Sequence, residues 1–470
     1  MQKIKTFTAL FLLVLQGCGG SGDSAVPTQP VRPPTSTVVT TETLARFDIY
    51  ALAGEIQDEP KIAAKMKVTQ YIIGQEPIIN YEGDIGVEYR GSSSQFYYDK
   101  KNFGIETRDA DQEGISVALL DFPEEEDWVL HGPYGDKSLM RNALMFELAK
   151  SFGHYSSRWQ FVEVYVENDY QGLYVLLEKI KRDDNRININ KLKEDENEGN
   201  DLTGGYIIKL DKTNGEHEGN PGAYDLYTDD MSFISKHGSK INAICEHHFI
   251  YHTPKSDEIT DQQKTYIQNY VHAFEDALAG SDFRDEQKGY RNYINVDTFV
   301  DYFLATELSG NVDGYRLSTF LYKDKNSKLS MGPLWDYNLA FGNADYCEGW
   351  SNTVWVYRSE ERCAGGVFGV PFWWYQLLAD DDFKQQVKSR WLTLRANDLA
   401  NAKIEQHIST MQNTLLNTEA VTRNFIKWPI LGSYIWPNYY VGSRYSDEVN
   451  YLKNWLTTRL DWLDIEIANL

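Results

Sequence analysis

The sequence predicts an α+β chain, strand-rich from about residue 44 to 211 and helical from about residue 260 to 470. Three observations predict it. Ile85-Gly86-Val87-Glu88-Tyr89 and Asn102-Phe103-Gly104-Ile105-Glu106 alternate at period two, the pattern of a strand with one buried face. Phe161, Val162, Val164 and Val166 run into a turn over Glu167–Gly172, and Leu173 to Leu177 returns, which reads as a hairpin. From Asp261 onward the apolar residues recur at helical spacing instead, first as Ile267, Val271, Phe274 and Leu278.

The remaining elements follow in chain order. Leu44 to Thr107 reads as short strands with turn punctuation. Residues 138 to 152 switch to helix, with Leu139, Leu144, Leu148 and Phe152 on one side and Gly153 as the stop. Gly204-Gly205 precede a strand, Tyr206–Leu210, that closes the strand-rich half. Residues 185 to 201 and 212 to 240 are polar and read as surface excursions. Phe299, Tyr302, Phe303 and Thr306 form a second helical stripe, with Asp297 expected as its N-cap. A short strand pair near 319 to 334 interrupts the helices, and Val449, Leu452, Leu456, Leu463, Ile467 and Leu470 mark the last one.

Composition excludes several classes. The 470 residues are 42% hydrophobic and 14% aromatic, which a disordered or collagen-like chain is not. Lys and Arg number 46 against 69 Asp and Glu, a net charge of −23 that repels phosphodiester backbones, so no nucleic-acid partner is expected. A cationic partner or a divalent metal suits that charge.

The N-terminus reads as an address. Lys3 and Lys5 precede an apolar run from Phe7 to Leu15, too short to span a bilayer, and then Gln16-Gly17-Cys18. Leu15-Gln16-Gly17-Cys18 resembles a bacterial lipoprotein box, so residues 1–17 are expected to be removed and Cys18 to carry lipid. Gly19 in place of Asp points to the outer membrane or cell surface of a Gram-negative cell. Residues 18–43 are Gly, Ser, Pro and Thr with few large apolar side chains, a tether to a domain over 44–470. The membrane is then met only through the N-terminal lipid.

An oxidising compartment makes the other cysteines informative. Cys347 and Cys363 enclose 15 residues, a loop that a disulfide would stabilise by roughly 3 kcal/mol; Cys245 is left odd. Cys245 with His247, His248 and His252 offers metal-ligand residue types without a zinc pattern. Lys179, Lys181, Arg182, Arg186, Lys191 and Lys193 form a basic run that reads as a solvated loop before it reads as a phosphate patch. Pro371-Phe372-Trp373-Trp374-Tyr375, Trp428-Pro429 and Trp436-Pro437 read as packing. GxSxG, HExxH and Walker A sequences are absent.

The strand pair carries the most chemistry. Asn311-Val312-Asp313-Gly314 precedes it, and Leu334-Trp335-Asp336-Tyr337-Asn338 follows it. A tight hairpin returns the chain to its start, which brings Asp313 and Asp336 together. Mg²⁺ suits such a place, because it prefers one or two carboxylates completed by phosphate oxygens and water. Capping or turn roles are the plainer reading of each Asp on spacing alone.

Several stretches together resemble the CotH family of spore-coat-type atypical protein kinases, from roughly Ile49 to the C-terminus. Tyr89-Arg90-Gly91-Ser92-Ser93-Ser94 with Lys100-Lys101 is similar to the family's Arg-Gly-(Asn/Ser)-Ser-Ser strand and following lysines. Leu139 to Leu144, Val162 to Val166 through Gly172-Leu173-Tyr174 and Glu178, and Gly204-Gly205-Tyr206 with Asp211 match in the same order. Asn311-Val312-Asp313 and Leu334-Trp335-Asp336 with Phe341-Gly342 resemble its catalytic hairpin.

The resemblance implies an atypical protein-kinase-like fold with a β-rich N-terminal lobe and a helical C-terminal lobe. It implies Mg²⁺ or Mn²⁺, ATP as substrate, and transfer of the γ-phosphate to Ser or Thr hydroxyls of an exported or surface protein. Asp336 would hold metal on the phosphates, and Asp313 would accept the hydroxyl proton or orient a second metal. Lys101 is the candidate for the α/β-phosphates with Glu178 as its ion-pair partner, and Arg90 and Arg141 join the nucleotide-binding set. The sequence departs from the family where Ser318 replaces a metal-binding Asn and Asn338 replaces the second carboxylate of Trp-Asp-x-Asp. Each swap removes a ligand or a charge, so a catalytically weak or inactive surface protein of the same fold is the alternative. A glycoside hydrolase using Asp313 and Asp336 fits the composition but has no supporting motif.

Overall fold

Residues 43–52, 54–213, 227–239, 246–363 and 369–470 are described by the computed structural model of the chain. The signal and tether readings, with Cys18, lie outside the described residues, as does Cys245.

Seven strands build the first half: β1 (Ala45–Ala51), β2 (Ile62–Gln70), β3 (Ile78–Arg90), β4 (Asn102–Arg108), β5 (Asp127–His131), β6 (Trp159–Val166) and β7 (Asp169–Glu178). They close as a barrel in the order β1-β2-β3-β4-β5-β7-β6. Closure comes from a parallel pairing of β1 with β6, Ala45 opposite Val162, while the other neighbours are antiparallel. The period-two residues explain it: Phe47, Ile49, Met66, Val68, Ile85, Val87, Ile105, Val162 and Val164 all point into one apolar cluster. Closing the sheet also removes its edges. This corrects the expected fold, since the β-rich region is a closed barrel and not a plain kinase lobe.

Between barrel strands lie α1 (Ser93–Tyr97) and α2 (Arg141–Ala149), the latter ending through a short 3₁₀ turn at Gly153, whose φ of 82° supplies the left-handed stop. The β6–β7 turn is tighter than the sequence suggested. Glu167 and Asn168, at φ 51° and 64°, make it alone.

Strands do not end at residue 211. β8 (Tyr206–Leu210), β9 (Ser232–Ile234), β10 (His248–Thr253), β11 (Thr319–Lys323) and β12 (Ser330–Met331) form a second sheet in the order β12-β11-β8-β10-β9. Phe249 and Tyr251 of β10 are buried at period two, a strand signal hidden among histidines.

The helical body comprises α3 (Asp261–Ala279), α4 (Val296–Ser309), α5 (Trp373–Leu377), α6 (Asp381–Ala396), α7 (Asn401–Asn417), α8 (Ala420–Lys427) and α9 (Tyr445–Ala468). Thr260 and Gln263 form a capping box on α3. Asn295, not Asp297, occupies the N-cap position of α4, and Asp297 falls in the first turn. Residues 298 to 309 of α4 are all buried, so it is the central post of the large core. Trp373 and Trp374 pack in that core, as the sequence suggested. Cys347 and Cys363 are joined in a disulfide. Among the described residues no helix is long and apolar enough to cross a membrane.

Candidate functional site

Asp313 and Asp336 stand at the two mouths of the β11–β12 hairpin, each in an irregular segment held by buried amides. Helix α4 ends at Gly310, whose φ of 58° turns the chain toward Asn311. The side chain of Asn311 accepts from the Asp313 N–H and donates to the Asp336 carbonyl, both at 3.2 Å. Asp336 itself sits at φ 61°, a conformation that costs a non-glycine residue of order 1 kcal/mol or more. Its neighbour's peptide is pinned: the Tyr337 N–H donates to Asn142 Oδ1 on α2 at 2.6 Å. Arg141 next door, fully buried, donates from Nε to the Ala340 carbonyl at 3.1 Å and pairs with Asp136 at 2.5 Å. Thus α2 fixes the loop that presents Asp336. Arg141, expected in the nucleotide-binding set, is here a buried residue whose bonds run to Asp136 and the Ala340 carbonyl.

The electrostatics converge on Asp336. Its side chain is accessible to solvent yet ringed by protein atoms, as on the floor of a cleft. Desolvation, and then the charges of Asp313 and Asp211, raise its pKa to about 7, against opposing pulls from Arg90 and Lys212. Asp211 directly follows β8. Thr319 pairs with Leu210 in the β8–β11 register, so one further step sets Ser318 opposite Asp211. Ser318 is at φ 48°. Ser318 and Asn338 are both partly accessible. Asp313 accepts from the Tyr346 hydroxyl at 3.2 Å and lies 3.5 Å from Arg316.

Arg90, the last residue of β3, supplies the facing cation. Burial lowers its pKa while Asp336, Glu88 and Asp211 raise it, and its guanidinium lies 5.8 Å over the Trp335 ring. No hydrogen bond or ion pair engages it among the described residues. Lys212 reaches the Ser93 hydroxyl at 3.3 Å and so links β8 to the Gly91–Ser94 loop.

Two expected partners are elsewhere. Lys101 donates to the carbonyls of Gln95 and Tyr98 at 2.6 and 2.7 Å, tying down α1, and does not meet Glu178. Glu178 is fully buried and is held by Arg158 at 2.8 Å, Arg186 at 3.2 Å and Tyr155. Sequence spacing could not reveal this, because Arg158 and Arg186 come from segments on either side of β7. Asp211 was read only as part of a strand motif and Lys212 only as the start of a polar excursion; neither was named as a site residue.

The remaining motifs are accounted for locally. Glu125, Glu126 and Asp127 form the one three-acid group at metal-ligand spacing among the described residues. Lys181 pairs with all three, Arg186 and Lys61 add to it, and Lys179 lies 3.8 Å from Asp127, so half of the basic run faces this acidic group. His247 meets the Gly369 carbonyl, His248 stacks on Tyr227 and His252 meets the Ile180 carbonyl, so these rings do not converge. Trp436 is not packed away: it is 37% exposed, 4.3 Å from the Tyr97 ring and parallel to Tyr346.

Asp313 and Asp211 both act on the Asp336 carboxyl, and the three acids do not approach one another as closely as the 125–127 group, so a divalent cation held here would need oxygens from water or phosphate as well. Fold and site together define an α+β protein with a closed barrel, a second sheet and a helical body, and an acidic cleft beside Arg90. The family model described as CotH kinase protein matches residues 87–463, and the chain belongs to that family. The match begins within β3, so β1 and β2 lie outside it. No curated protein matches the chain.

Proposed function

We propose that the protein is a metal-dependent kinase that moves the ATP γ-phosphate to a Ser or Thr hydroxyl of an exported protein, and that it is itself exported and held at a membrane by lipid on Cys18. The observation that carries the kinase reading is the state of Asp336, a carboxyl raised to about 7 beside two further carboxylates. Such a cluster is short of positive charge. Mg²⁺ or Mn²⁺, when bound, would supply that charge and screen the phosphates.

The chain's own residues then have distinct tasks. Asp336, with Asp211 and the neutral oxygens of Ser318 and Asn338, would hold the cation. Arg90 would bind phosphate oxygens, which prefer its planar fork of donors. Asp313 would take the proton as the acceptor oxygen bonds to the γ-phosphorus and the bond to the β-phosphate oxygen breaks, leaving ADP. The Tyr346 hydroxyl orients Asp313 for that step. Asn311 and Asn142 hold both acids in place.

Calorimetric titration of ATP with Mg²⁺ and then Mn²⁺, beside Asp336→Ala, tests the reading. Binding that needs metal and vanishes in the variant is expected. A folded protein that binds no ATP with either metal would overturn it. Ser318 and Asn338 favour one second reading, a surface protein of the same fold that binds partners without catalysis. That protein would show no phosphate transfer even where nucleotide binds.

A further inference from the structure

The β2–β3 hairpin ends in an apolar tip that nothing among the described residues covers. Tyr71-Ile72-Ile73-Gly74-Gln75-Glu76-Pro77-Ile78-Ile79 carries one charge, and Ile73, Ile78 and Ile79 are 48%, 40% and 54% exposed. Isolated exposed isoleucines are ordinary on a protein surface, whereas three on one projecting turn mark a contact.

The register shows where this turn lies. Arg46 pairs with Thr69, so the start of β1, where the chain enters from residues 1–42, sits beside the base of the tip. Arg90 closes the other end of the same 13-residue β3, at most about 40 Å away. Flanking charges decide the kind of surface. Lys65 pairs with Asp84 and Lys67 with Glu82, which leaves no net charge beside the tip. The adjoining turn after β4 carries Asp109, Asp111 and Glu113, and the whole chain is at −23, so an anionic surface is disfavoured.

We infer that the tip of the β2–β3 hairpin rests in the interface of a neutral lipid bilayer and orients the barrel, with the Arg90 end held away from the membrane. This rests on the lipid-anchored reading of Cys18. Twenty-four residues separate Cys18 from Thr43, so an anchor there leaves the domain's orientation open, and a second, weak apolar contact would fix it.

The test uses the mature chain, residues 18–470, with Cys18→Ser, which lacks both the lipid and the apolar run Phe7–Leu15, and phosphatidylcholine vesicles in a sedimentation assay. The Cys18→Ser chain is expected to partition measurably, and Ile73→Asp with Ile79→Asp should lower the partition coefficient at least tenfold with an unchanged melting temperature. Equal sedimentation of the two proteins, or none of the Cys18→Ser chain, would overturn the inference. The mass of Cys18 in native membranes tests the anchor separately. Lipid at Cys18 with no hairpin effect sinks the hairpin contact alone. An unmodified Cys18 sinks the anchor, and vesicle binding through the isoleucines would then stand by itself.

Discussion

Asn311 bridges to Asp336, donating from its side-chain amide to the backbone carbonyl at 3.2 Å while its oxygen accepts from the Asp313 N–H. One neutral residue therefore sets the spacing of the two carboxylates. Asn142 completes the frame from α2. Asn142→Ala leaves the buried Tyr337 N–H without an acceptor, and a loss of about 1–3 kcal/mol in denaturant stability is expected. Asn311→Ala should cost less stability but weaken metal-dependent ATP binding at least tenfold by calorimetry, because Asp336 loses its fixed position.

Arg90 and Lys101 should separate cleanly. Arg90 has a ring beneath it and acids nearby but no bonded partner among the described residues, so Arg90→Ala should leave the melting temperature nearly unchanged and weaken ATP binding by ten- to a hundredfold. Lys101→Ala should do the reverse in part, loosening α1 through the lost contacts to Gln95 and Tyr98. Equal loss of ATP affinity in both, with equal stability, would refute this division.

Glu307 and Arg459 are fully buried and 3.2 Å apart, joining α4 to α9. Glu307 also accepts from the N–H groups of Val356 and Tyr357. Removing either partner strands a charge, so Arg459→Met or Glu307→Gln should cost roughly 3–5 kcal/mol by urea unfolding.

Acid should destabilise the fold through its neutral histidines. Burial, with nearby cations, lowers His131 and His252 to about 4 from the ordinary 6.5. Above pH 6.5 both states hold these rings neutral and the stability is intact. As pH falls from about 6.5 to about 4 the unfolded chain takes up protons first, so stability drops. The slope of urea midpoint against pH over that window should shrink in His131→Gln.

Reduction of the Cys347–Cys363 disulfide should lower stability by about 3 kcal/mol, from the loop it closes. Comparing urea midpoints with and without reductant, in a Cys245→Ser background, checks this.

Much of the fold was legible in local pattern. Ile85, Val87 and Ile105 announced strands because a half-buried strand must alternate, and Ile267, Val271, Phe274 and Leu278 announced α3 because a helix buries one stripe. The order of motifs was enough for the family, and the hairpin was enough to pair Asp313 with Asp336. Closure of the barrel was not legible, because the β1–β6 pairing joins strands more than a hundred residues apart and leaves no local mark. The partners of Glu178 were hidden for another reason, since Arg158 and Arg186 are near it in sequence but carry no periodic or motif signal. A lysine and a glutamate at plausible motif positions look like an ion pair in sequence, yet Arg158 and Arg186 reach that carboxylate first once β7 is packed. The residue types of the site, two aspartates flanking a turn with an arginine ahead of them, were determined by the sequence itself. Which cation faces the acids without a bonded partner among the described residues, and which carboxyl is raised toward neutrality, were decided only by tertiary structure, because both depend on how many charges and how much solvent the fold leaves around each group.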